Sequence, residues 1–195
     1  MSETFTLTEA AAVIGARVKD VNNLIDRQVL PKGAVQGRRL PRVALASLKA
    51  AHATADILTP EQRRSIAALV LAKPRARSWR VGYLSVDLQR VAEETRHGLE
   101  RLRHAREMVI TSQDILGGAP VFRGTRIPVH DIAAMLANGD SLEELTRAYP
   151  TLKREQLELA PVYAKAYPLR GRPRRRPGNR LQRVSSKKIS LKDLP

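Results

Sequence analysis

A glycine- and proline-rich run, Ile115 to Val129, leaves the backbone of this chain few conformational choices. The run holds three glycines and two prolines. Glycine reaches left-handed conformations that other residues avoid, and proline holds its φ angle near one value. We therefore predict a tight turn followed by an extended strand, with a short strand over 109–111 before it.

Three helical segments follow this run. Apolar spacing predicts a helix over 129–137, and Ser141 caps a second helix with Glu144 at the capping-box position. A third helix is predicted from Thr151 onward. Residues 109–168 are therefore predicted to form a small trihelical unit.

The N-terminal segment has the pattern of a winged helix-turn-helix. Thr6 or Thr8 can cap a first helix that Gly15 ends, and apolar residues recur at steps of three and four over 17–28. Two glycines within 32–41 predict a small β-hairpin, after which helical spacing returns. In such a layout the second helix can enter the major groove while the wing touches the DNA backbone.

The polar residues of this segment are of types that bind DNA. Asparagine can pair with adenine edges, and arginine can reach guanine or phosphate. The segment resembles the MerR-type winged helix in its Thr-Glu-Ala-Ala start and its Gly-Arg-Arg-Leu wing, although Leu40 replaces the usual aromatic residue. A scaffold or dimerisation module with a merely solvated helix face is the alternative. The DNA contacts that we expect are Arg17, Lys19, Asn22, Asn23, Arg27, Arg38 and Arg39.

The middle segment, 56–108, is predicted to connect the two units. Thr59 and Pro60 start a helix, a strand is predicted over 79–86, and Asp87 caps a long helix. The arginines that lie off the apolar stripe of that helix are expected to be solvated: Arg96, Arg101, Arg103 and Arg106.

The unit at 109–168 closely resembles the small trihelical family, long catalogued as a domain of unknown function, that occurs in VapB-type antitoxins of bacterial toxin–antitoxin pairs. Antitoxins of that family with a winged-helix N-terminus have the same order of parts, including Gly171-Arg172-Pro173 after a Tyr-Pro pair. The resemblance implies a PIN-like ribonuclease toxin as partner and repression of the operon through operator DNA. The likeness is carried by Ile115 to Gly118, Pro120-Val121, Arg123 to Val129, Asn138-Gly139 and Tyr149-Pro150.

In that family the trihelical unit is usually described as helix-turn-helix-like. Here it carries six basic and seven acidic residues, so insertion of its last helix into a DNA groove is unfavourable. We therefore expect it to form a homodimer through its strand, while the N-terminal module reads DNA. Stabilisation of the turn by Arg123 and Arg126 is an equally supported role. The expected dimer contacts are Val121, Phe122, Arg123, Thr125 and Ile127.

The C-terminal segment, 169–195, carries much of the net charge of +16, with ten basic residues against one aspartate. It has too few apolar residues to fold alone, and we predict a disordered basic tail. In the toxin hypothesis its guanidinium groups satisfy the acidic metal site of the nuclease. A solvated extension or a non-specific nucleic-acid arm is the alternative. The expected toxin contacts are Arg170, Arg172, Arg174, Arg175, Arg176, Leu181, Val184, Ile189, Leu191 and Leu194.

The whole chain is thus predicted to be mainly α with short β elements, divided at 1–55, 56–108, 109–168 and 169–195. Cysteine is absent, no apolar stretch is long enough to span a bilayer, and the N-terminus lacks a signal-peptide pattern, so we expect a cytoplasmic protein. No catalytic, metal-binding or cofactor motif stands out, and we do not expect an enzyme. The leading hypothesis is an antitoxin in a higher-order toxin–antitoxin complex. A stand-alone transcription regulator is the alternative.

Overall fold

A computed structural model describes residues 3–169 except Lys32 and Gln36. This part is mainly helical with three short antiparallel strand pairs, which confirms the predicted fold class. None of its helices combines the length and the apolar character needed to cross a membrane. The helices are α1 (Leu7–Ile14), α2 (Val18–Asp26), α3 (Arg42–Ala53), α4 (Pro60–Ala72), α5 (Leu88–Glu107), α6 (Val129–Ala137), α7 (Leu142–Ala148) and α8 (Arg154–Ala166). The strands are β1 (Thr4–Thr6), β2 (Arg39–Pro41), β3 (Ser78–Val81), β4 (Leu84–Asp87), β5 (Val109–Ile110) and β6 (Val121–Phe122).

The predicted wing hairpin over 32–41 is corrected by the structure. Strand β2 pairs with β1 at the start of the chain, and Phe5 lies opposite Leu40 in this pair. Both side chains are almost completely buried in the N-terminal core. Because burying each of these two large apolar side chains contributes about 1.5–3 kcal/mol of stability, the distant partner is preferred over a local one.

The predicted single strand over 79–86 is also corrected. Gly82 adopts a φ of 56°, and the chain reverses there so that β3 and β4 form a hairpin. Trp79 is buried between this hairpin and α4, and its indole Nε1 donates to Ser65 Oγ at 3.3 Å. The hairpin is thus attached firmly to α4.

Helices α1 and α5 approach each other closely at Gly98. A Cβ atom at this position would lie 2.0 Å from the backbone oxygen of Val13, so only glycine permits the contact. This approach joins the long helix to the N-terminal core, to which Leu102 of α5 also belongs.

Strands β5 and β6 and helices α6 to α8 enclose a second core around Phe122, Ile132 and Leu157. Ser141 and Glu144 form the predicted capping box, whereas the third helix begins at Arg154, three residues later than expected. The far end of α8 packs on the N-terminal core through Ala166. Helix α8 therefore contributes to both cores.

Candidate nucleic-acid interface

Helix α2 is the element predicted to read DNA, and the turn before it sets its orientation. Gly15 ends α1 with a φ of 77°, and the N–H of Ala16 donates to Ala11 O at 3.0 Å. Val21 and Leu24 are buried in the N-terminal core. Since these positions recur at helical spacing, the opposite face of α2 is directed to solvent.

That outer face carries polar and basic side chains. Lys19, Asn23 and Arg27 are exposed, and Asn22 is half-buried. Asp26 also lies on the exposed side, so the face is mixed in charge rather than uniformly basic. Such a face offers directional hydrogen-bond donors as well as positive charge.

Arg17, the residue that precedes α2, is bound by a carboxylate. Its Nε and Nη2 donate to Asp20 Oδ2 and Oδ1 at 2.8 and 2.9 Å. These hydrogen bonds raise the pKa of Arg17 and lower the pKa of Asp20. The guanidinium fork that would bind guanine or phosphate is therefore already occupied.

A cleft of about 490 Å³ lies beside α2. Arg17, Asn23 and Arg27 line it from one side, and His52 of α3 and Arg63 of α4 line it from the other. Burial is the main cause that lowers the pKa of His52 below its usual value. The structure therefore brings three of the predicted DNA contacts together at one polar cleft between α2, α3 and α4.

The two predicted wing arginines have different surroundings. Arg38 is exposed and has a φ of 63°. Arg39 Nε donates to Thr4 Oγ1 at 2.9 Å, and its Nη2 donates to Thr4 O at 3.1 Å. Arg39 therefore holds β2 against β1, a structural role that the sequence did not indicate.

A buried polar contact that the sequence did not reveal joins the N-terminal module to α8. The Glu9 carboxylate accepts hydrogen bonds from the Thr6 N–H at 2.7 Å, from the Tyr167 hydroxyl at 2.7 Å and from the Arg106 guanidinium. Arg106 also donates to the Tyr167 hydroxyl. Arg106 is exposed, as expected, but its guanidinium is bound to Glu9 and Tyr167 rather than to solvent alone.

The pKa shifts of this cluster follow from burial and hydrogen bonding. Burial alone would raise the pKa of Glu9, but the hydrogen bonds from Thr6, Tyr167 and Arg106 bring it below its usual value. Burial raises the pKa of Tyr167 to about 12. The sequence does contain one signal of this polar cluster, because Glu9 is a carboxylate within an otherwise alanine-rich apolar helix.

Comparison with known proteins identifies relatives along most of the chain. Over 190 residues it is 38% identical to a protein from Sinorhizobium fredii (strain NBRC 101917 / NGR234) named "Uncharacterized protein y4eO", and the alignment covers 89% of this chain and 86% of that protein. The chain belongs to the y4eO family. Its residues 109–164 match the family described as protein of unknown function (DUF433), and we call them the DUF433 region.

A comparison with solved structures also finds a match. The crystal structure of Rv2018 from Mycobacterium tuberculosis aligns with 80% of this chain and 95% of its own, at 18% identity and a TM-score of 0.28. A score this low supports no argument about either fold or function.

In the DUF433 region, the strand expected to pair with a second copy is enclosed by its own chain. Val121 and Phe122 are completely buried. One edge of β6 pairs with β5, and on the other edge Phe122 N–H donates to Ile127 O at 3.1 Å while Val121 bridges to Pro128. The prediction that this strand pairs with a second copy of the chain is therefore corrected, because both of its edges are already hydrogen-bonded within the chain.

The other expected dimer contacts of the DUF433 region stabilise the turn after β6. Arg123 Nε donates to Glu107 O at 3.0 Å. Thr125 Oγ1 donates to Phe122 O at 2.9 Å and accepts from the Ile127 N–H at 3.1 Å. The alternative role for Arg123, in which it stabilises the turn through a backbone carbonyl, agrees with this geometry.

The basic C-terminal segment of the chain, 169–195, begins at the last residue that the structure describes. Leu169 is exposed and lies two residues after Tyr167, whose backbone oxygen is 2.8 Å from His130 Nε2. The ten expected toxin contacts, from Arg170 to Leu194, lie outside the described residues.

Proposed function

We propose that this chain is a DNA-binding antitoxin that recognises operator DNA through α2 and inhibits a PIN-like ribonuclease through its basic C-terminal segment. DNA binding is supported mainly by one observation, the exposed polar face of α2. Lys19, Asn23 and Arg27 lie on this face, while Val21 and Leu24 hold the helix on the core from behind. A helix mounted in this way can enter the major groove without any rearrangement of the core.

The side chains of α2 divide into two roles in this proposal. Asn23 has the amide that pairs with the two polar atoms of an adenine edge. Lys19 and Arg27 supply positive charge for phosphate, and neither forms an ion pair within the described residues. Arg17 contributes less, because it must first leave Asp20.

The antitoxin part of the proposal is supported by composition and by the family resemblance of the DUF433 region. Ten basic residues against one acidic residue in 169–195 suit the carboxylate-rich metal site of a nuclease. The anchoring of Tyr167 to Glu9 and His130 holds the start of this segment on the folded body.

The DNA-binding part is tested by fluorescence anisotropy with a labelled duplex taken from immediately upstream of the gene for this chain. We expect Asn23→Ala with Arg27→Ala to weaken binding at least tenfold, because base-edge and phosphate contacts are lost together. Arg147→Ala, an exposed arginine of α7 in the DUF433 region, is the control and should bind like wild type. Equal affinity of all three proteins would exclude α2 as the reading helix.

The antitoxin part is tested by co-expression with the product of the neighbouring reading frame, followed by a pull-down and a ribonuclease assay. Truncation after Pro168 should abolish inhibition and leave DNA binding nearly unchanged. DNA binding without any captured nuclease would instead support the stand-alone regulator, and a truncated protein that still inhibits would exclude the C-terminal segment as the inhibitor.

A further inference from the structure

The β3–β4 hairpin is a projecting element that the proposed function has not used. Its two-residue turn, Gly82 and Tyr83, connects Val81 to Leu84, and the Tyr83 side chain is fully exposed at the tip. A glycine with positive φ at the first turn position suits a tight two-residue hairpin. Because Trp79 is buried against α4, the tip extends from a firmly held base.

The hairpin and the loop before it are basic. From Lys73 to Asp87 the chain contains four basic residues and one acidic residue, Asp87, which caps α5 by accepting from the Gln89 and Arg90 N–H groups. All four are exposed, and none has a carboxylate within salt-bridge distance in the part of the chain that the structure describes. Other exposed arginines, such as Arg90 and Arg154, do have carboxylate partners. The unpaired residues are Lys73, Arg75, Arg77 and Arg80.

The outward face of the hairpin is polar. Trp79 pairs with Val86 on the inner side, and the alternation of a strand therefore places Arg80 and its cross-strand neighbour Ser85 on the outer side. Guanidinium and hydroxyl groups are common donors to phosphate oxygens, and a tyrosine hydroxyl is another. The exposed large side chains of the hairpin, Tyr83 and Leu84, lie at its tip, whereas the outward face lacks the apolar centre that a protein interface would need.

The hairpin and the cleft beside α2 lie on different sides of α4. Arg63 of α4 lines that cleft, and Ser65, two residues later, accepts the hydrogen bond from Trp79. Because residues two positions apart on a helix project about 200° from each other, the cleft and the hairpin use different faces of α4. The exposed Arg64 stands between them in the chain.

From these unpaired charges we propose that the β3–β4 hairpin and the loop before it form a second DNA-binding element, which contacts the phosphate backbone outside the groove occupied by α2. This inference rests on the proposed DNA binding and specifies where a wing acts. The wing predicted over 32–41 is thereby replaced by one at 73–87, with Arg75, Arg77 and Arg80 as the phosphate contacts.

The experiment compares two variants with the same loss of charge. The hairpin variant is Arg75→Gln, Arg77→Gln and Arg80→Gln, and the control is Arg101→Gln, Arg126→Gln and Arg147→Gln, three exposed arginines without ion pairs in the described structure. Binding to the same upstream duplex, of about 30 base pairs so that it spans two half-sites, is measured over a range of salt concentrations. Thermal melting confirms that both variants are folded.

The hairpin variant should lower the slope of log K against log salt by about 0.9 for each lost phosphate contact, and so by up to about 3, while the control keeps the wild-type slope. Hydroxyl-radical footprinting should show the loss of one protected stretch of backbone with the central protection retained. Tyr83→Ala should weaken binding several-fold without changing the slope, because it removes a contact but no charge.

Three results would overturn the inference. If the hairpin variant matches the control while Asn23→Ala with Arg27→Ala weakens binding, then α2 reads DNA without the hairpin and only this inference fails. If the wild-type protein does not bind the duplex, the proposed DNA binding fails and this inference fails with it. If the hairpin variant binds DNA normally but no longer inhibits the nuclease, the hairpin is a protein contact.

Discussion

The hydroxyl of Tyr167 donates to Glu9 Oε1 at 2.7 Å and joins two residues that are 158 positions apart. Through this hydrogen bond the first helix of the N-terminal module meets the end of α8. The proposed DNA-binding module is therefore joined to the end of α8, two residues before the basic C-terminal segment begins.

Loss of the Tyr167 hydroxyl should destabilise the whole fold. We expect Tyr167→Phe to lower the free energy of unfolding by ~1–3 kcal/mol, because it leaves the buried carboxylate of Glu9 one donor short. Urea denaturation measures the change. Tyr163→Phe is the matched control, because its hydroxyl has no hydrogen bond in the described structure and its loss should cost much less. Equal losses in both variants would show that the Glu9 contact does not stabilise the fold.

Stability should depend on pH through Glu9. Its folded-state pKa lies below the usual value of 4.5, so its carboxylate contributes stability that is present above pH 4.5 and is lost as the pH falls through the folded pKa. Urea midpoints recorded from about pH 6 to about pH 3 should therefore fall more steeply for wild type than for Glu9→Gln. Glu93→Gln, on the exposed side of α5, should keep the wild-type profile.

The contact at Gly98 should tolerate no side chain. Alanine favours a helix by about 1 kcal/mol over glycine, yet its Cβ would meet the Val13 backbone oxygen. We expect Gly98→Ala to lower the free energy of unfolding by ~1–3 kcal/mol, the usual cost of overpacking. Gln89→Ala, an exposed position of the same helix, should change stability by less than ~0.5 kcal/mol. A more stable Gly98→Ala protein would contradict the close approach of α1 and α5.

Release of Arg17 from Asp20 should strengthen DNA binding. Asp20→Asn removes the negative charge that holds the guanidinium, so Arg17 becomes available to phosphate and one repulsive charge disappears. We expect tighter binding to the upstream duplex and a salt slope steeper by about 1. Asp26→Asn removes the same charge without freeing an arginine and should change affinity without changing the slope. The same slope for both variants would show that Arg17 does not contact DNA.

The β6 strand should behave as core rather than as an interface. Phe122→Ala should lower the free energy of unfolding by ~3–5 kcal/mol, because a fully buried aromatic side chain is lost. Denaturation at several protein concentrations tests the role directly. If β6 lay at a dimer interface, the cost of the substitution would depend on concentration; we expect that it does not.

Helix starts and several chain reversals were predictable because their causes are local. Thr6, Thr59 and Ser141 each accept a hydrogen bond from a backbone N–H three residues later, and Gly15 ends α1 in the conformation that glycine adopts most easily. The hairpin turn at Gly82 had local signals too, the glycine itself and a change of phase in the apolar alternation from Trp79 and Val81 before it to Leu84 and Val86 after it.

Apolar spacing and capping residues alone were sufficient to predict the class of fold and the order of its helices. Helix capping and the apolar face of a helix each depend on residues only a few positions apart in the chain. Only the tertiary structure decided three contacts: the pairing of β2 with β1, the enclosure of β6 and the hydrogen bond between Tyr167 and Glu9. Each of these joins segments that no local pattern relates, and each forms because it buries apolar surface or supplies partners for buried polar atoms when the two cores come together.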